Sequence, residues 1–326
     1  MSTLAGLAVA IWVFGATGWT SVVDALSRMG PGGFLLFCLW FIGVFLLLGA
    51  AWLSAAPSEP LGRLWLFTWA RMVREAASDL LPFSQIGGVV LGVRTLNAHG
   101  VRSRRASAAL LVDLTTEMAA QLVFAVFGIA MFLITVSTRT ETLALRSIVL
   151  LGTATLLAMM IAFFAAHRFG FGYAGRLAAR LLPGADLKAA EISEELRKTY
   201  ARRGALCASF LFNLVAWVAS AAGAWLCLTL IGIQVSFWMI LMVESLIFTL
   251  RSVAFIVPGA LGVQELGYLA LAPVIGVTPQ ALLALSLAKR ARDLAIGLPT
   301  LLCWQLREMR ALAAKFGSEV SIPPNK

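Results

Sequence analysis

Long apolar runs, each cut short by a Gly- or Pro-rich turn, set the pattern of this chain. Residues 4–23 and 33–55 each approach the ~20 apolar residues that a bilayer requires, with Asp24, Arg28 and Gly30-Pro31-Gly32-Gly33 between them. Residues 61–80 differ, because Trp65, Phe67 and Trp69 are interleaved with Arg63, Arg71, Arg74 and Glu75. That amphipathic pattern suits the membrane interface. Pro82, with Gly87 and Gly88, is expected to break it, and 83–98, which carries Gln85, is apolar and too short for a comfortable span. Residues 106–136 and 147–166 predict two more spans, joined by a turn with Arg139, Glu141 and Arg146. The polar segment 167–204 predicts a helical linker, with Glu194 and Lys198 four apart as a surface pair. Residues 205–231 span again. Residues 237–257 then bring Glu244 and Arg251 into an apolar run that breaks at Pro258-Gly259 and Gly262. The helix predicted over 281–303 carries Lys289, Arg290, Arg292 and Asp293, and 304–326 is a basic tail.

Two stretches share an order of features. An offset of 176 places Pro82 on Pro258, Gly100-Val101 on Gly276-Val277, Asp113 on Lys289 and Glu117 on Asp293. This predicts repeats near 61–136 and 237–303, each a hairpin that enters and returns on one side, followed by a charged helix. The expected fold is therefore an all-α polytopic membrane protein with six spans and two re-entrant hairpins. Under that topology 56–105, 167–204 and the tail share one side and hold 19 Lys/Arg, against Arg28, Arg139 and Arg146 opposite. Excess Lys/Arg marks the cytoplasmic side, so both termini are cytoplasmic and the two hairpins are inverted. Inverted repeats with broken helices place a transporter's substrate site near the midplane.

Composition agrees. Of 326 residues, 60% are hydrophobic and 13% charged, with mean hydropathy +0.89. A soluble domain has about 25% charged residues. The net charge of +10 is read as orientation and headgroup contact, not nucleic-acid binding. Cys38, Cys207, Cys227 and Cys303 have no paired spacing, and His99 and His167 lack a second ligand nearby, so neither disulfide, metal nor cofactor is expected.

Nine ionisable residues fall at predicted membrane depth: Asp113, Glu117, Glu244, Arg251, Glu265, Lys289, Arg290, Arg292 and Asp293. At ~2.5–3.5 kcal/mol each near a helix centre, the four on 281–303 would cost about 10 kcal/mol unless they find counter-charges or water. Asp113 and Glu117 share a helix face, and the expectation is that they meet Lys289, Arg290 or Arg292 across a polar cavity. Gln85, Gln264 and Glu265 at the hairpin tips complete the candidate binding set. No G-x-S-x-G, H-E-x-x-H or P-loop is present, so no catalytic residue is assigned.

The strings PGALGVQELGY (258–268), KRARD (289–293), LLPFSQIGGVVLG (80–92) and DLTTE (113–117) resemble the lysylphosphatidylglycerol synthase transmembrane-region, or flippase-like, family. Within it the likeness is greatest to hopanoid-biosynthesis-associated HpnL-type proteins. Val89 stands where relatives carry an acidic residue, and Asp113-Leu114 lacks their arginine. The resemblance implies a bacterial inner-membrane protein that moves a lipid, a hopanoid or a phospholipid, between leaflets without enzymatic activity. Homo-oligomerisation and contact with lipid-biosynthesis enzymes are compatible partners. The alternatives are a non-transporting assembly factor acting through 167–204, and an intramembrane headgroup transferase using Asp113 and Glu117.

Overall fold

A computed structural model describes residues 20, 23–24, 27–80, 84–137, 194–253, 260 and 262–319. Within them all regular structure is helical. Gly30, at φ +63, starts α1 (Gly30–Ser54), with Pro31 in the first turn, where its missing N–H costs nothing. A short 3-10 turn, Leu61–Arg63, leads into α2 (Leu64–Leu80). Next come α3 (Ser84–Ala98) and α4 (Ser103–Ser137). The second half holds α5 (Arg203–Leu230), α6 (Phe237–Val253), α7 (Val263–Ile275) and α8 (Pro279–Glu319). The helices Gly30–Ser54, Ser103–Thr135 and Arg203–Leu230 are long and apolar enough to cross a membrane. The chain is an all-α polytopic membrane protein. The predicted span 147–166 and nearly all of 4–23 lie outside the described residues, as does most of the 167–204 linker. The helix predicted over 281–303 does not stop at its charges or in the basic tail but runs on to Glu319 as the end of α8.

The two halves match element by element. Leu64 and Phe237 open α2 and α6, both 17 residues long and 173 positions apart. Ser103 and Pro279 open α4 and α8, 176 positions apart. The connecting turns are alike down to their hydrogen bonds. The Val101 N–H donates to the Leu96 carbonyl, and Val277 to Ala272 at the same 3.1 Å. Gly100 and Gly276 supply the left-handed backbone, at φ +82 and +72. Each hairpin is closed by a glycine at the fifth residue of its return helix. A Cβ on Gly88 would lie 2.5 Å from the Arg74 carbonyl, and one on Gly267 2.6 Å from Ile247 Cδ1.

Helix packing obeys the same exchange. α2 packs on α3 as α6 does on α7, α1 on α2 as α5 on α6, and α3 on α4 as α7 on α8. Across the halves α2 packs on α8 as α6 does on α4, and α1 pairs with its own counterpart α5. Small residues permit these crossings: a Cβ on Gly128 of α4 would fall 1.6 Å from Ser245 Oγ of α6. The main apolar core joins Phe37 and Phe41 of α1 to Ile240, Tyr268 and Leu282–Leu285 of the second half. A second core, around Trp52, Phe67 and Leu96, holds the first hairpin. Outside these cores Lys198 donates a hydrogen bond to Glu194 at 2.7 Å, which holds that carboxyl below its ordinary range.

Candidate functional site

The buried charges form two clusters, and neither has the expected membership. In the first, α2 turns Arg71 and Arg74 inward onto Asp113 and Glu117 of α4. Arg71 Nη1 lies 2.9 Å from Asp113 Oδ2, and its Nη2 pairs with Glu117. Arg74 reaches Glu117 at 3.1 Å and Asp113 at 3.4 Å. Arg71 Nε is also 3.0 Å from Glu75. Asn213 of α5 donates to Asp113 Oδ1 at 3.2 Å. Arg71 is 1% exposed and Asp113 0%, so this is an interior lock of planar guanidiniums against carboxylates.

The expectation that Asp113 and Glu117 face Lys289, Arg290 or Arg292 is therefore overturned. The amphipathic reading of 61–80 assigned its charged face to the interface, whereas Arg71 and Arg74 are buried. They also leave the set of 19 Lys/Arg on which the expected orientation rested, which falls to 17.

The second cluster is built from α6, α7 and α8. Lys289 Nζ donates to Glu244 Oε2 at 2.6 Å and to Tyr268 Oη at 3.0 Å. The Tyr268 hydroxyl donates to Glu244 Oε1 at 2.5 Å. One turn nearer the break, Glu265 gathers the start of α7 onto α8. Its Oε2 accepts the Gly262 N–H at 2.8 Å, which satisfies an orphan donor at the helix start. Its Oε1 accepts from Ser286 at 2.9 Å and from Arg290 Nη2 at 2.7 Å. Gln264 donates to Ser286 at 2.7 Å. Gly262, at φ +80, lets the chain turn into α7.

Between the ends of the two hairpins lies a cavity of about 160 Å³, lined by Asp79 and Leu80 of α2, Arg251 of α6, Gln264 of α7, and Arg290, Asp293 and Leu294 of α8. Arg251 is 3.8 Å from Asp79, too long for a charge-assisted hydrogen bond. Beside the cavity Asp293 pairs with Arg292. Arg292 also stacks over Phe41, with 3.7 Å from guanidinium carbon to ring centre.

Of the predicted site residues, Arg251, Gln264, Arg290 and Asp293 line this cavity, with Glu265, Lys289 and Arg292 in the layer behind. Asp113 and Glu117 are held apart from it on the first lock. Gln85 sits in α3, and its side chain lies outside the described residues, as do Pro82, Pro258 and Gly259. Gly87 and Gly88 are not at the break but inside α3. Asp79 and Tyr268 were missed. Arg71, Glu75 and Asp79 recur every four residues, a charged stripe that signals one shared polar contact. Tyr268 carries no such signal. Among the described residues no group of three His, Cys, Asp or Glu is arranged to hold a metal ion.

The family model described as Lysylphosphatidylglycerol synthase TM region matches residues 2–300, nearly the whole chain. No curated protein and no solved structure matches it.

Proposed function

Because the chain belongs to the lysylphosphatidylglycerol synthase TM-region family, a membrane- and lipid-related family, we propose that it carries a lipid between the leaflets of a bacterial inner membrane. The headgroup passes through the cavity between the hairpin ends while the tails stay in the bilayer. The protein acts as a transporter, not an enzyme, with both termini cytoplasmic. The observation that carries this reading is the cavity, which gathers two acids and two arginines in a chain only 13% charged.

The packing of α2 on α3 and of α6 on α7 supports re-entrant hairpins. The exchange of α1–α4 with α5–α8 supports inverted repeats around one midplane site. Arg251 and Arg290 favour an anionic or hydroxylated headgroup, and the HpnL-type resemblance points to a hopanoid or a phospholipid as cargo.

The test is a leaflet-resolved assay on purified protein in liposomes, with headgroup-quenchable phospholipid and hopanoid-type probes. Wild type is expected to move at least one probe, and Arg251→Ala to slow it about 10-fold or more, the equivalent of one lost 1.4 kcal/mol contact. Movement at wild-type rates in Arg251→Ala would rule out passage through this cavity.

A further inference from the structure

The two halves place opposite charges at equivalent positions. The eighth residue of α2 is Arg71 and the eighth of α6 is Glu244. The eleventh residue of α4 is Asp113 and the eleventh of α8 is Lys289. Each half therefore ties its first hairpin arm to its long helix through a buried ion pair at these equivalent positions, of reversed polarity. The chemistry of the two ties differs. Arg71 and Arg74 are planar guanidiniums, each of which bridges both carboxylates. The second tie has one carboxylate, one ammonium and one phenol, and among the described residues no guanidinium hydrogen-bonds to Glu244. Glu244 is 6% exposed, Lys289 7% and Tyr268 0%.

The charged and titratable surroundings are few. Arg251 and Arg292 act on Lys289 from α6 and α8, and the Cys227 thiol faces it from α5. Asp79 of α2 and Asp293 of α8 act on Arg251, and Cys38 of α1 lies by Arg292. α4 presents uncharged Gly128 and Thr135 to α6. Glu244 thus stands against a cationic neighbourhood with one ion-pair partner, one layer behind the cavity.

We propose that Glu244, held by Lys289 and Tyr268, is the proton-carrying group that couples lipid movement to a pH gradient; this rests on the translocation reading above. A proton from water on the open side forms an O–H bond on the Glu244 carboxylate, and the tie gains one positive charge. Neutral Glu244 releases the Lys289 ammonium from its counter-ion, so α6 and α7 are free to move against α8 while the first half stays locked. The freed ammonium favours an anionic headgroup, so proton and anion are taken up together. On the far side the same O–H bond breaks to water and the ion pair re-forms, with no redox step.

The experiment uses full-length protein in liposomes with membrane potential clamped, a pH step across the membrane and fluorescent phosphatidylglycerol. Wild type is expected to enrich the probe in the leaflet facing the alkaline side, up to about tenfold per pH unit at one proton per lipid. Glu244→Gln and Lys289→Arg, which keeps a fixed cation on Glu244, are expected to give equal leaflets. Equal leaflets in wild type, with the probe still crossing, would overturn the coupling and leave translocation standing. No crossing of this probe in wild type would overturn the coupling proposal, and the translocation reading falls with it only if the hopanoid-type probe also stays in its leaflet. Infrared difference spectra of wild type between alkaline and acid buffer provide an independent readout. The carbonyl band of a protonated carboxyl should appear on acidification, persist in Asp79→Asn and vanish in Glu244→Gln; its persistence in Glu244→Gln would overturn the assignment.

Discussion

At the scale of residues, buried charge in this protein is handled by two different chemistries. At the Arg71–Asp113 contact one guanidinium nitrogen meets a fully desolvated carboxylate, and removing either member leaves buried charge on the other undercompensated. Arg71→Ala is expected to lower stability by about 3–5 kcal/mol, read as a fall in the thermal midpoint of the solubilised protein. Arg71→Ala combined with Asp113→Ala should recover part of that loss, because Arg74 still holds Glu117 at 3.1 Å. Equal midpoints for the single and double variants would contradict the lock. The acidic half of this site was legible from sequence, since Asp113 and Glu117 stand four apart in an apolar run. Its basic half was not, because the same spacing in 61–80 fits a helix lying at an interface as well as one turned inward.

At the scale of elements, the hairpins depend on close backbone approach. Gly88 meets the Arg74 carbonyl, which cannot move aside as a side chain would, whereas a Cβ on Gly87 meets nothing within 4 Å. Gly88→Val is therefore expected to cost about 1–3 kcal/mol through overpacking, with Gly87→Ala close to neutral. Thermal midpoints of the two variants decide this, and equal loss in both would mean that α3 does not seat on α2 as described. Helix positions were largely readable from hydropathy. The run 33–55 became α1 (Gly30–Ser54), and 205–231 became α5 (Arg203–Leu230). The end of α8 was not readable, because its polar continuation is held by partners distant in sequence. Arg94 of α3 pairs with Glu308 and lies over Trp304, and Arg307 lies over Trp69 of α2.

At the scale of the whole molecule, function is proposed to arise where the two halves meet. The 176-residue offset was visible in a few Gly, Pro and charged positions, but α1 and α5 carried no shared motif, and their packing on each other and on α2 and α6 joins them to the repeat. The cavity itself has residues from four helices, of which Asp79 belongs to the stretch 61–80 whose pattern pointed to the membrane interface. The most direct test of passage through it is to fill it. Leu80 lines the cavity, while Leu302, 61% exposed, lies on the outer surface. Lipid movement between leaflets should be compared in wild type, Leu80→Trp and Leu302→Trp, each reconstituted at equal density. Movement lost in Leu80→Trp and retained in Leu302→Trp is the predicted result. Equal movement in all three proteins would contradict passage through the cavity.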